Sequence, residues 1–503
     1  MEENIQIKLN GTNAQAPAGS TILEAARLNH VDIPTLCFLK NKNCIAACRI
    51  CLVEVKGARR PVPSCVTAIS PGMEILTNSP EVTESRRQTL DLICSNHRMD
   101  CEYCSRYSDC ELHALCRQYG IDERNYNPYA MEPELDESAA HLDRDTSKCV
   151  RCRRCIAACR ELHLDIIGVI GKGYRTQVAP PRPLAATDCI SCGQCIAACP
   201  TGALAERDDT QKVRNALNHG RHVVAAVTPY VGAELGELFE EKIGTNVQGK
   251  AIAALRRMGF AEVFDAGVAG AAAKAHEKNE LAERLKTGKR LPLLTARCPA
   301  WVKFCENNYP ELIGNLSGGK SAQETFGVLC RSAYTREAGV APRDIFVVYI
   351  NSCTAGKSEC RKEGSSVDVS FTTHELAAMF KRSCVSRFTA LKVWRELPNE
   401  AFDVFPGAVS GGSVYTGGPG VTESEVELDG RRVKAAVASG LAAAVELLKA
   451  VTSGKTSYEF IEVMACPGGC LNGGGQPRQF GQTISFTGLY SQRAKALQQQ
   501  SRK

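Results

Sequence analysis

Glu462-Val-Met464-Ala-Cys466-Pro-Gly-Gly-Cys470-Leu-Asn-Gly-Gly-Gly-Gln476-Pro477 sets two cysteines four residues apart ahead of a run of three glycines. That pattern reads as a buried metal site. Thiolates bind iron tightly, and glycine lets backbone approach a bulky inorganic cluster and donate N–H groups to it. Two further cysteines stand upstream, in Thr295-Ala-Arg297-Cys298-Pro299-Ala-Trp301 and Asn351-Ser-Cys353-Thr-Ala-Gly-Lys357-Ser-Glu359. Each follows a short apolar run, Leu291–Thr295 and Ile345–Ile350, and a third such run spans His222–Thr228. Helix-like stretches, Ala271–Thr287 and Ala435–Val451, lie between and after them. This alternation predicts an α/β domain of buried parallel strands with ligands gathered at the strands' C-terminal ends.

The whole chain has 503 residues, of which 44% are hydrophobic and 23% charged, as in soluble globular proteins of several domains. Its 26 cysteines, many in CxxC groups, read either as a disulfide scaffold or as an intracellular iron or zinc protein. The opening Met1-Glu-Glu-Asn-Ile-Gln-Ile-Lys-Leu lacks the basic and apolar regions of a signal peptide, which favours metal and a cytoplasmic, reducing, anaerobic setting. No apolar run approaches the roughly 20 residues that span a bilayer. The net charge of +6 is mild and its Lys and Arg are scattered, so no nucleic-acid partner is expected. An acidic redox partner would suit it, although a solvated surface explains it more simply.

Four units follow from the order of motifs: residues 1–79, 80–125, 140–209 and 210–503. The first opens with alternating Ile5, Ile7 and Leu9, an Asn10-Gly11 turn and a capping-box pattern at Thr21–Glu24, a small β-grasp unit. It carries Cys37, Cys48, Cys51 and Cys65, with the strand-like Leu52–Lys56 after the CxxC pair; Cys44 is the rival for the first ligand position. The second has a helical segment, Val82–Ser95, followed by His97, Cys101, Cys104 and Cys110, a ligand set that suits zinc or a 4Fe-4S cluster alike. Cys94, Cys116 and His113 read as packing residues. Residues 121–147 are acidic and irregular, a linker or strap. Then come two C-x2-C-x2-C-x3-C repeats, the bacterial two-cluster ferredoxin spacing, in which each fourth cysteine ligates the other cluster. One cluster takes Cys149, Cys152, Cys155 and Cys199, and the other Cys189, Cys192, Cys195 and Cys159.

The segments around Cys298, Cys353 and Cys466–Cys470 together resemble the three signature segments of the iron-only (FeFe) hydrogenases, and the resemblance extends over essentially the whole chain. It implies a multidomain α+β and α/β protein: a β-grasp 2Fe-2S ferredoxin domain, a one-His/three-Cys cluster domain, a two-cluster bacterial ferredoxin domain and a two-lobed α/β active-site domain. It favours Cys37 over Cys44 and iron over zinc at His97. It implies one 2Fe-2S cluster and three 4Fe-4S clusters in a relay, together with an H-cluster, a 4Fe-4S cubane on Cys298, Cys353, Cys466 and Cys470 joined through Cys470 to a diiron subsite with CO, cyanide and azadithiolate. The implied activity is reversible interconversion of H2 with protons and electrons, the electrons passing to or from ferredoxin or another carrier, with dedicated maturation proteins building the site. Met464 would lie against the diiron subsite, with Gln323 and Ser321 in the segment lining it. Glu277, Glu280 and Ser317 match the family's proton route.

Two segments depart from the family pattern. Arg297 replaces the relay cysteine, and a guanidinium effectively cannot exchange a proton; water or another group bridges the gap, or turnover is slow. The family's Met-Pro-Cys-x-x-Lys becomes Asn351-Ser352-Cys353-Thr-Ala-Gly356-Lys357, displacing by one position the lysine that would hold an iron-bound cyanide. Lys357 would still reach, or Arg297 would supply the charge. Asn351 in place of methionine would make the pocket wetter. From spacing alone, Glu277 and Glu280 fit a solvated helix face as well as a relay. Cys305, Cys330, Cys360 and Cys384 read as buried apolar residues. The alternatives to a hydrogenase are a slow, H2-sensing or regulatory homologue, favoured by Arg297, and an electron-transfer subunit lacking the diiron site, disfavoured by the Cys466–Pro477 segment.

Overall fold

The computed structural model describes residues 4–122, 126, 134–383, 420–428, 430–477 and 491–497; Cys384 and residues 127–133 of the acidic stretch fall outside them. Asn4–Leu9 and Thr12–Pro17 pair as a hairpin through Asn10 and Gly11, both at positive φ, as a tight two-residue turn demands. Asn4–Leu9 also runs parallel to Glu74–Leu76, the central strand of a five-stranded sheet against which the helix Ile22–Leu28 packs. Thr21 and Glu24 close that helix's capping box. The next helix, Pro80–Ser95, starts two residues ahead of the expected Val82, because Ser79 caps it and Pro80 suits its first turn.

The stretch 121–147 is more than a linker. Leu142–Asp145 pairs with Leu135–Asp136 on one side and Leu204–Glu206 on the other, so the second half of the stretch joins the two-cluster unit as a sheet. Acidic composition concealed this, since Leu142 and Arg144 bury their side chains while the residues between them do not.

Two sheets build the remainder. In the first, Glu262–Asp265, His222–Val227, Ile345–Ile350 and Val369–Phe371 lie side by side, all parallel. In the second, Leu293–Leu294, Phe460–Met464 and Arg431–Ser439 are parallel, and Gly420–Leu428 adds an antiparallel edge. The expected helix at Ala435–Val451 therefore begins as strand, and its larger part from Leu441 on is helix. Ala435–Ala438 belongs to a strand paired on both sides, and the helix runs Leu441–Thr452 after Gly440 turns the chain at φ +99°. A run of small apolar residues carries no period that separates a buried strand from a helix; sheet partners decided it. Among the described residues no helix is long and apolar enough to cross a membrane.

Candidate active site

Three loops at the C-terminal ends of parallel strands bring four thiols together. Cys298 follows Leu293–Leu294 and precedes the helix Pro299–Asn308, Cys353 follows Ile345–Ile350, and Cys466 and Cys470 follow Phe460–Met464. Burial pushes all four up, and charge on neighbouring members pushes Cys353, Cys466 and Cys470 further, Cys353 to about 12. A thiol must lose its proton to bind metal, and burial of the quartet disfavours a thiolate whose charge is not compensated. Among the described residues no three His, Cys, Asp or Glu side chains converge as a single metal ion requires.

The glycine run has a second role that its composition did not reveal. A Cβ on Gly473 would strike the Ser352 carbonyl, one on Gly474 the Cys192 carbonyl and Gly193, and one on Gly475 would stand 2.5 Å from Thr372. These glycines let the Cys466–Cys470 loop close on the Cys353 loop and on the second cluster repeat at once.

Arg297 sits between two carboxylates. Its Nε lies 2.8 Å from Glu277 Oε2 and its Nη2 2.9 Å from Glu462 Oε1. Burial pushes Glu277 up, and Arg297 opposes that shift. Glu280 lies one helical turn along; Ser317 Oγ donates to its Oε2 at 2.6 Å and Arg284 pairs with its Oε1 at 2.6 Å. Burial pushes Glu280 up as well, but Ser317, Gly318 and Arg284 more than offset it and hold its carboxyl low. Glu277 is buried, so the solvated-face reading fails for it. Met464 is buried at its strand's end, and Gln323 Nε2 donates to Gly356 O at 3.0 Å.

Two expectations about the Cys353 segment are corrected. Lys357 does not reach toward the thiols: its fully buried ammonium is 2.7 Å from Asp209 Oδ2 and 2.8 Å from Glu375 Oε1, and donates to Ser370 O at 3.1 Å. Three N–H donors with three acceptors leave nothing for a ligand. Where the family carries its lysine, a Cβ on Gly356 already stands 2.6 Å from Gln323 Oε1 and 2.8 Å from Ser370 Oγ. Asn351 does not open the pocket to water either; its Oδ1 accepts from Cys353 N at 2.6 Å and its Nδ2 donates to Ser370 Oγ at 3.3 Å.

Sequence reasoning missed Glu462, Glu234 and Arg493. Glu234 accepts from Ser352 Oγ at 2.7 Å and Thr373 Oγ1 at 3.2 Å, and burial, opposed by Arg493, pushes it to about 8. Arg493 pairs with Glu237 at 2.7 Å and donates to Pro477 O at 3.0 Å, bracing the loop that carries Cys466 and Cys470. Glu462 was legible by its place two residues before Met464; Arg493 had no local signal.

In the head of the chain, charge on Cys199 acts on Cys149, Cys152 and Cys155, and charge on Cys159 acts on Cys189, Cys192 and Cys195. Cys149, Cys152, Cys155 and Cys199 line one cavity. Cys37 is buried beside Cys48, and Cys51 beside Cys65, whereas Cys44 is exposed. His97, Cys101 and Cys110 line another cavity with His113 and Cys116, while Cys104 lies against Gly202. Asn43 Nδ2 donates to both Cys37 O, 2.6 Å, and Cys152 O, 3.0 Å; Glu111 N donates to Pro200 O at 3.0 Å. The first cysteine group and the His97 group therefore both abut the Cys149 group. These residue groups form a fork, two branches meeting at the Cys149 group.

Residues 221–474 match the family model described as the iron only hydrogenase large subunit, C-terminal domain. Residues 2–80 match a 2Fe-2S iron-sulfur cluster binding domain, 86–125 the NADH-ubiquinone oxidoreductase-G iron-sulfur binding region, and 148–203 a 4Fe-4S dicluster domain. A subunit of the NADP-reducing hydrogenase of Solidesulfovibrio fructosivorans is 37% identical over 95% of this chain and 89% of its own length. Iron hydrogenase 1 of Clostridium pasteurianum is 34% identical over 98% of this chain and 92% of its own. The solved [FeFe]-hydrogenase of Chlamydomonas reinhardtii aligns with a TM-score of 0.48 at 26% identity, over 57% of this chain and 88% of its own.

Proposed function

The chain belongs to the iron-only hydrogenase family, and from that premise we propose that Cys298, Cys353, Cys466 and Cys470 hold its active-site cluster, with Cys470 toward the diiron subsite. Hydrogenase catalysis fed by an iron–sulfur relay is the activity of this family and of this chain. When bound, the cluster supplies a Lewis-acidic iron and a base for heterolytic cleavage of H2. The protein's own part is to exclude water, hold the thiolates and manage protons and electrons at the edge of the site. The observation that carries the reading is the buried thiol quartet, closed over by Gly473–Gly475.

Cys37, Cys48, Cys51 and Cys65 are assigned to a 2Fe-2S cluster. His97 with Cys101, Cys104 and Cys110, and the two interleaved quartets, are assigned to three 4Fe-4S clusters. The fork offers two points of entry for electrons. The acceptor is ferredoxin or a similar one-electron carrier; a subunit that reduces NADP is the second candidate, since one relative bears that name. A chain whose cysteines serve iron–sulfur clusters suits a reducing, cytoplasmic setting.

Glu280 and Ser317 form the outer end of a proton route and Glu277 the next station. Arg297 then stands where an exchangeable thiol is expected, tied on both sides to carboxylates. That double ion pair favours a second reading, a slow hydrogenase suited to sensing H2. The test is an infrared spectrum of the anaerobically matured protein under inert gas and under H2, joined to a turnover assay. Bands of iron-bound CO and cyanide that respond to H2 are expected; none despite proven maturation would overturn the assignment. Turnover on the scale of fast family members would overturn the second reading.

A further inference from the structure

The second cluster repeat is seated on the active-site loops, and at Gln194 the contact reaches a ligand sulfur. Thr354 Oγ1 donates to Ser191 O at 2.8 Å, and Ser358 Oγ lies 2.8 Å from Ser191 Oγ. Gly193, at φ +71°, admits Thr354 and Gly474 where a side chain would stand. Gln194, at the start of the helix Gln194–Ala198, donates from Nε2 to Asn472 O at 2.6 Å and to Cys466 Sγ at 3.4 Å. It lies between Cys192 and Cys195, assigned to one cluster, while touching a cysteine assigned to another.

The first repeat uses the same position in a related way. Arg154, between Cys152 and Cys155, grips Glu111 at 2.6 and 2.9 Å, and Glu111 directly follows Cys110. In both repeats, then, the residue before the third cysteine reaches out of its own quartet to the chain that carries the next.

A hydrogen bond to a cluster sulfur draws off negative charge and favours the reduced state, one of the ways a protein sets a cluster's potential. We propose that Gln194 is a positioning residue that raises the reduction potential of the active-site cubane through its N–H···S bond to Cys466. The ferredoxin repeat thus tunes the site with which it exchanges electrons. This rests on the assignment of Cys298, Cys353, Cys466 and Cys470 above.

The experiment is infrared spectroelectrochemistry on the full-length matured chain, where the CO and cyanide bands report the cubane's redox state without any turnover. Gln194→Leu removes the donor at similar size. It should lower the reduced-to-oxidised ratio about tenfold at fixed potential, about 59 mV for a one-electron couple. Gln194→Lys keeps an N–H donor, adds positive charge and should shift the ratio the opposite way. Ser358→Ala loosens the same interface without touching sulfur and should leave the midpoint in place. An unmoved midpoint in Gln194→Leu, or an equal shift in Ser358→Ala, would overturn the proposal. Unmodified protein without the bands would overturn the active-site assignment itself and the proposal with it.

Discussion

Replacing Lys357 by methionine separates a structural lysine from a ligand-holding one. The ammonium lies 2.7 Å from Asp209 and 2.8 Å from Glu375, with no exposed side-chain surface. At an effective dielectric of about 20 each contact is worth about 6 kcal/mol gross. Desolvating the charges costs several kcal/mol per ion, so the pairs' net value is far smaller than that sum. Removing the ammonium leaves Glu375 buried without a cation and Asp209 with Lys212 and Arg361 alone, for which a loss of about 3–5 kcal/mol is expected. That corresponds to a fall of roughly 10 °C in thermal midpoint, measurable by calorimetry. Burial pushes Asp209 up, but Lys357 and Lys212 more than offset it and hold it at about 2. Its stabilising contribution is therefore complete above the unfolded carboxylate's value of about 3.9 and is lost as pH falls through about 2. In Lys357→Met acid unfolding should begin at higher pH. Adding Glu375→Gln should recover part of the loss. The cyanide bands of the folded fraction should not move. A displaced cyanide band with unchanged stability would refute the reasoning and put the lysine at the diiron subsite.

Arg297→Cys restores an exchangeable proton beside Glu277 and should raise turnover by about 10²-fold, the low end for a positioned proton carrier; unchanged turnover would show that Arg297 does not limit it. Gly474→Ala drives a methyl group into the Cys192 carbonyl, so a cost of about 1–3 kcal/mol is expected in denaturant melts, with slower carrier-linked turnover. Glu234 is pushed up to about 8 by burial, so its penalty grows as pH rises from the unfolded value of about 4.3 through 8. Glu234→Gln should flatten the loss of thermal stability between pH 6 and pH 9, and an unaltered pH profile would rule out this carboxyl as its source.

Much of the molecule was legible in the chain because cluster binding writes itself into local spacing. The two repeats carry their cysteines at the fixed intervals of a two-cluster ferredoxin, and in the fold Cys199 lies close enough to act on Cys149, and Cys159 on Cys189. The Asn10-Gly11 hairpin and the Thr21 capping box were equally local. Ala435–Ala438 was misread because helix and buried strand look alike in four small residues, and only the strands on either side distinguish them. Lys357 was misread for a related reason: one position in sequence is about 100° around a helix, and Asp209 and Glu375, which capture it, lie 148 and 18 residues away.

The sequence by itself determined the order of the cysteine-bearing units and the family, because residue type and spacing are properties of short segments. Only the tertiary structure decided that two cysteine groups meet at the Cys149 group, that Arg297 is clamped by Glu277 and Glu462, that Lys357 is spent on two distant carboxylates, and that Gln194 reaches Cys466. Each of these joins side chains from separate segments. The energy of an ion pair or an N–H···S contact depends on distance and burial, which exist only once the sheets and loops have packed.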